Sequence, residues 1–420
     1  MGSSFAEEGN DENPEPPGKS CISHPFWWER SDLRYDEASR VLCFGQTCLQ
    51  DIFSDSDGLP TFVYRPARIT KKTDVIRKAL PGATLLYAIK ANRHPAILEQ
   101  MLRSADGIDV CSPNEARLAL QSGFSERQLS YTGTSLSELD LDFLVEHPDI
   151  HVNADSLSLL TRMGKRSPGR KMGIRVNPEM GIGYRNESRL VYSGQKRPGK
   201  FGLLEEQLPD AITLARRYHI EIDTVHWHIG CGWLDGQLDD LAEILRKTTA
   251  FAAQIPGVRN INLGGGLGVP FRGDDKTLSL SRWSEIVREI VAERWHIVLE
   301  PGSFLVQDAG ILLTRVNTVE RKRRWTFVGV NAGFNLAMEP VFYGMRLEPV
   351  FLRLPGNGNA VEHVTIAGNI NEVHDLFVED FLMTLPEEGE AIGFLNAGAY
   401  AASMASNHCM RGEFREMIVS

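Results

Sequence analysis

Between Leu85 and Gly302 the chain alternates eight times between a short apolar run and a stretch of helical periodicity. The apolar runs are Leu85–Lys90, Gly107–Ser112, Leu129–Gly133, His151–Asp155, Met172–Pro178, Thr224–Gly230, Asn260–Gly265 and Ile297–Gly302. Helical stretches between them include Asn114–Ser122, Ser137–Glu146, Leu204–His219, Leu238–Gln254 and Ser281–Glu293. Successive parallel strands need crossovers of this length. Eight such units over roughly 240 residues is the size of a closed (β/α)8 barrel. A doubly wound open sheet is the alternative fold. The barrel is preferred because nearly every run ends in a glycine or a polar residue, and barrels place their chemistry at the C-terminal strand ends.

Outside this region the texture differs. Residues 303–420 carry β-prone runs at Val306–Val319, Trp325–Val330, Val350–Leu354, Glu362–Ala367 and Ala391–Leu395, without the helical interludes. They predict a C-terminal β-rich domain. Residues 21–64, with Phe26–Trp28, Val41–Gly45 and Thr61–Tyr64, predict strands that join that domain. The barrel then occupies 65–302. Residues 1–20, rich in Gly, Ser, Glu and Pro, read as a disordered leader with neither the basic nor the apolar segment of a signal peptide.

A net charge of −10 argues against a nucleic-acid surface. No apolar run approaches membrane-spanning length. The six cysteines form no C-x-x-C pair and no zinc spacing, so they read as reduced thiols in a cytoplasmic protein without a metal site.

The strand ends carry the chemistry. Lys90 closes the first run, and burial lowers a lysine pKa, as imine formation requires. Asp109 lies in the second run, Arg175 in the fifth and His228 in the sixth, followed by Cys231. Gly264, Gly265 and Gly266 end the seventh, where barrels hold phosphate, and Glu300 lies in the eighth. A lysine, a flat ring, a phosphate loop and a carboxylate on one rim describe a site for pyridoxal 5'-phosphate. The carboxylate there would keep the pyridine nitrogen protonated.

These motifs resemble the barrel-type (fold type III) pyridoxal-phosphate decarboxylases, the group of ornithine and diaminopimelate decarboxylases. The matching segments are Tyr87–Asn92, Asp109–Glu115, Gly173–Pro178, Lys200–Gly202, His228–Gly230, Gly264–Gly266, Glu300–Gly302 and Asn396–Tyr400. The resemblance implies a barrel plus a β-domain. It makes Lys90 the cofactor-bearing lysine, His228 the ring-stacking residue and Glu300 the partner of the pyridine nitrogen. It gives Asp109, Arg175, Cys231, Gly264, Gly265, Gly266 and Tyr400 to the cofactor. It gives Glu339, Tyr343, Glu372 and Tyr400 to the substrate. It also implies a homodimer whose Asn371–Asp375 loop reaches the partner's site.

Four positions depart from the family pattern. Cys231 stands where relatives have a phosphate-contacting serine. Ser303 and Glu339 stand where diaminopimelate decarboxylases have arginines for the substrate's distal carboxylate. Asn371 replaces the cysteine that protonates the product carbon, a catalytic position, with His374 as a candidate substitute. A distal carboxylate near Glu339 would be repelled and a distal cation welcomed. The expectation is therefore decarboxylation of an amino acid with a basic distal group, of the ornithine, lysine or arginine type, in D or L form. One alternative is a decarboxylase of a conjugated amino acid, as in siderophore or other specialised metabolism. The other is a catalytically dead relative that binds the cofactor or a partner.

Overall fold

A computed structural model describes residues 26–192, 199–291, 294–356 and 360–420. The leader expected at 1–20 lies outside these residues.

The eight runs form a closed, all-parallel barrel. Its strands are β1 (Thr84–Ala88), β2 (Gly107–Val110), β3 (Leu129–Tyr131), β4 (His151–Ala154), β5 (Lys171–Arg175), β6 (Glu221–His226), β7 (Asn260–Asn262) and β8 (His296–Leu299). They pair in sequence order, and β8 closes on β1 with Val298 opposite Thr84 and Leu299 opposite Leu85. A sheet covered by helices outside and filled by side chains inside is apolar on both faces, hence near-continuous apolar runs rather than alternation. Helix starts follow local chemistry. Ser112 caps the helix Pro113–Gln121 by accepting from the Glu115 N–H at 3.2 Å, and Ser137 and Asp140 form a reciprocal capping box at Glu138–Glu146.

The strands end earlier than the apolar runs suggest. Lys90 does not sit in β1 but in a one-turn 3-10 segment, Ile89–Ala91, beyond it. Two contacts from the other domain hold that turn: Asn92 Nδ2 donates to the Gly398 carbonyl at 2.9 Å, and the Tyr400 N–H donates to the Ala91 carbonyl at 2.8 Å.

After Glu300 the chain forms a short helix, Ser303–Val306, and a 3-10 turn, Gln307–Ala309, where the apolar run had suggested strand from 306. The second sheet follows: β9 (Gly310–Lys322), β10 (Trp325–Val330), β11 (Pro349–Phe351), β12 (Val361–Ala367), β13 (Leu376–Thr384) and β14 (Ala391–Leu395). Its order is β11-β14-β9-β10-β12-β13, and Thr61–Tyr64 pairs with β9 as well as with Arg415–Ile418. Strand β13 escaped the sequence reading because Glu379 and Asp380, with Asp380 at φ 51°, interrupt its apolar run. Phe26–Trp28 is a turn rather than a strand; Trp28 packs edge-on against Tyr35.

Strand alternation in β9 sorts two cores. Leu312 faces the large core shared with the barrel, whereas Ile311 and Leu313 face a second core with Leu42, Phe44 and Leu352. At the junction Asp308 accepts from Arg68 at 2.7 Å and lies 2.9 Å from Lys72, tying the first barrel helix to the chain leaving the barrel.

Candidate active site

The barrel strands end on a cavity of about 630 Å³. Lys90, Asp109, Arg175, His228, Cys231, Gly265, Gly266, Glu300, Glu339, Tyr343 and Tyr400 all line it, from both domains. Gly264 does not; it forms the turn behind the loop. Asn371 and Glu372 do not line the cavity of their own chain. They lie exposed on a loop pinned by Asp375, which accepts from the Ile370 and Phe334 N–H groups at 2.7 Å each.

Lys90 points into the cavity with its side chain 40% exposed. Its Nζ lies 3.3 Å from Asp109 Oδ2 and 3.5 Å from Cys111 Sγ. Burial pushes the Lys90 pKa down, as the sequence suggested. Asp109, Cys111, Tyr400 and Glu300 push it the other way and win, leaving it well above the ordinary value. The expected lowering is thus overturned: nearby acidic groups, Asp109 first, outweigh desolvation. Asp109 is raised by burial and by Glu300, against the pull of Lys90. Its Oδ1 has no hydrogen-bond partner among the described residues.

Glu300 is 5% exposed and fully engaged. Its Oε1 accepts from Ser130 Oγ at 3.0 Å and Asn262 Nδ2 at 2.6 Å, and its Oε2 meets His226 Nε2 at 2.9 Å. Burial opposes ionisation here, but the His226 contact, the Asn262 hydrogen bond and the Lys90 charge hold Glu300 below the usual carboxylate range. Burial drives His226 toward its neutral form, so the Nε2–H donates to Glu300 as a hydrogen bond rather than as a cation. Asn153 supports this layer by donating to Ser130 Oγ at 3.1 Å and to Thr132 Oγ1 at 2.9 Å. A Cβ at Gly173 would stand 2.0 Å from Asn153 Oδ1, so this layer requires glycine there. Ser130, Asn153 and Asn262 were not singled out in the sequence. Their signal is their inward register on β3, β4 and β7, which only strand pairing reveals.

His228 is also neutral. Burial, then the charges of Lys90 and Arg175, lower it well below the usual imidazole range. Its Nδ1 accepts from the Gly265 N–H at 3.3 Å, which leaves the proton on Nε2, 3.7 Å from Cys231 Sγ. The Cys231 thiol in turn donates to Tyr192 Oη at 3.3 Å. Gly266 is at φ 97°, and a Cβ there would meet the Gly230 carbonyl at 2.3 Å. Backbone therefore forms the wall beside His228, a surface suited to a close-approaching anion. Tyr400 reaches the same rim from the β-domain; a Cβ on Gly302 would lie 3.1 Å from its hydroxyl oxygen.

Residues 66–307 match the family described as "Pyridoxal-dependent decarboxylase, pyridoxal binding domain". The chain belongs to this family. It is 30% identical over 404 residues to the diaminopimelate decarboxylase of Methanothermobacter thermautotrophicus, covering 92% of each chain. Among solved structures it resembles AQ1208 from Aquifex aeolicus, with a TM-score of 0.80, 26% identity and 92% of each chain covered. It also shares the fold of diaminopimelate decarboxylase from M. jannaschii in complex with L-lysine, with a TM-score of 0.83, 24% identity and 93% of each chain covered. As a family member it is a pyridoxal-phosphate-dependent carboxy-lyase built as a barrel with a β-rich domain.

The residues present fit that cofactor. Lys90 is the one lysine lining the cavity among the described residues. A neutral ring at His228, a backbone cradle at Gly265–Gly266 and the buried, ionised Glu300 match the cofactor's flat face, phosphate and protonated nitrogen. No group of His, Cys, Asp and Glu suited to a metal ion occurs among the described residues, and no helix there is long and apolar enough to cross a membrane.

Proposed function

We propose that this decarboxylase acts on an amino acid with a basic distal group, of the ornithine, lysine or arginine type. The observation that carries the reading is Glu339. It lines the cavity, is 2% exposed, and stands where the sequence resemblance calls for an arginine. Ser303, at the second missing arginine, also lines the cavity. At these two positions a substrate's distal carboxylate would meet a hydroxyl and an acid in place of two guanidinium groups. A distal ammonium or guanidinium would find a buried acceptor.

The residues divide the work as follows. Pyridoxal phosphate, when bound, supplies a ring that draws electron density from the substrate's α-carbon. Lys90 would hold the cofactor through its amine, and Asp109, 3.3 Å from Nζ, would hold that amine as an ammonium when it is free. Glu300 would keep a proton on the ring nitrogen, and His226, Asn262 and the Lys90 charge keep Glu300 itself ionised. His228, neutral, would pack on the ring without competing for charge. Gly265, Gly266, Cys231 and Tyr400 would receive the phosphate, and Arg175 would add positive charge to the ring's surroundings.

Replacing Glu339 with arginine is expected to lower kcat/KM for the preferred diamino acid by about 100-fold, since a buried attraction becomes a repulsion. A CO2-release screen over D- and L-ornithine, lysine, arginine and diaminopimelate measures it. Equal rates for the variant and parent on every basic substrate would refute the reading.

The same proposal includes a homodimer with shared sites. Around Phe334, rings of Phe342, His374 and His408 lie at 6.0, 5.6 and 5.7 Å. Phe342, Val373 and Met410 are exposed in or beside this cluster by 48%, 91% and 85%. Such an apolar patch supports a contact surface. It flanks Asn371 and Glu372, whose assigned roles require a second copy. Lys90→Ala and Glu372→Ala proteins, inactive apart, should recover activity when mixed and re-paired, at about a quarter of the sites. No recovery, under conditions where the subunits exchange, would remove the shared site.

A further inference from the structure

Four carboxylates line the cavity among the described residues: Asp109, Glu115, Glu300 and Glu339. Asp109 faces Lys90, Glu115 accepts the Cys111 N–H at 2.7 Å, and Glu300 takes three donors. Glu339 differs. Its Oε1 accepts a single side-chain hydrogen bond, from Gln307 Nε2 at 3.0 Å, and its Oε2 has no hydrogen-bond partner among the described residues. Gln307 is 1% exposed, and its amide also donates to the Asn396 carbonyl. The amide is thus fixed as a donor toward Glu339.

No described cation neutralises this carboxylate. Tyr343, on the same segment, is a phenol that also lines the cavity. On the neighbouring turn, Arg189 is chelated by Glu187 at 2.9 and 3.0 Å and donates to the segment's Val341 carbonyl at 3.0 Å. Arg346, beyond it, is paired with Glu348 at 3.0 Å. Strand β13, packed alongside, offers Glu379 and Asp380, both exposed, with Asp380 paired to His363.

We infer that Glu339 is a proton-linked receptor for the substrate's distal cation, uncharged while no cation is present and giving up its proton when one docks. The inference rests on the basic-substrate reading above and adds to it a mechanism of selection. A neutral carboxyl does not hold an unpaired charge in the cavity, so the empty site avoids the penalty of a buried lone anion. A docked ammonium pairs with the ionised form and draws the proton off. A substrate without a distal charge cannot trigger that exchange. Burial pushes the Glu339 pKa up to about 8, while the Gln307 hydrogen bond pulls the other way.

The sign follows. With the free carboxyl titrating near pH 8, binding of a distal cation below that pH releases a proton. Apparent affinity then rises by up to about tenfold per pH unit and levels off above the carboxyl's own pKa. Removing the carboxylate removes the slope.

The test uses the holoenzyme, titrated calorimetrically near neutral pH in buffers of different ionisation enthalpy. Cadaverine is compared with n-pentylamine, which lacks the distal cation. The expected result is that cadaverine releases about one more proton than pentylamine, and that Glu339→Gln abolishes the difference. A second measurement needs no variant: the infrared carbonyl band of a protonated carboxyl in the parent should disappear on adding cadaverine and persist with pentylamine. If cadaverine binds more tightly than pentylamine yet releases no extra proton, the proton-linked receptor is overturned and the basic-substrate reading stands. If the two amines bind equally well, both fall.

Discussion

Replacing Lys90 with alanine is expected to lower kcat/KM for CO2 release by at least about 1,000-fold, or about 4 kcal/mol in the barrier. It should also abolish the visible absorbance of the lysine-bound cofactor. Among the described residues the cavity offers no substitute amine. The other lining Arg and Lys side chains among the described residues are Arg175, whose guanidinium sits 4.3 Å over the Phe201 ring, and Arg93, which donates to the Ser403 carbonyl at 2.8 Å. Neither can serve as an amine nucleophile, because a guanidinium stays protonated. The fold should survive. Lys90 lies on a turn anchored by its neighbours Ile89 and Ala91, both buried, while its own side chain lies in the cavity. Normal thermal unfolding with lost absorbance and lost turnover is the expected set of results. Turnover within tenfold of the parent would overturn the assignment of this lysine.

Glu300→Gln should lower kcat by about 100- to 1,000-fold with a smaller change in KM, as expected for a charge that acts mainly in the transition state. The amide oxygen can keep the Ser130 and Asn262 hydrogen bonds. The amide nitrogen then faces His226 Nε2, and His226 accommodates it by moving its own proton to Nδ1, which has no partner among the described residues. The folded protein is therefore expected to tolerate the change. What it loses is the buried negative charge that holds a proton on the ring nitrogen. Glu300→Ala is expected to be worse for stability, because removing the acceptor strands buried donors on three strands. Comparing the two variants by stopped-flow absorbance and thermal melting separates charge from scaffold. Equal kcat for Glu300→Gln and parent would remove the proposed role.

Several positions were legible because their meaning is local. A lysine after an apolar strand, a triple glycine after another and a glutamate ahead of Pro301-Gly302 declare themselves by type and neighbours. The inner support of Glu300 was not legible. Ser130, His226 and Asn262 are separated from it by 170, 74 and 38 residues, and they meet only because inward-facing residues of different strands share a layer. Nor did the sequence show that the chain after Glu300 turns helical before β9, or that Gln307 from that turn fixes Glu339. Apolar residues at 304–306 suit either conformation, and burial in the junction between domains decides for helix.

The sequence by itself determined eight β/α repeats and favoured a barrel over a doubly wound open sheet, and the pairing of β8 with β1 closes it. It also determined which residue types stand at the strand ends. Only the tertiary structure decided their charges. Lys90, read as a lysine whose pKa burial would lower, is instead raised by the acidic groups that converge on it, Asp109 first. Glu339, read as a welcoming anion, is a buried acid without a cationic partner among the described residues. A side chain's pKa depends on which groups stand a few ångströms away in a medium of low dielectric. Those neighbours come from distant parts of the chain.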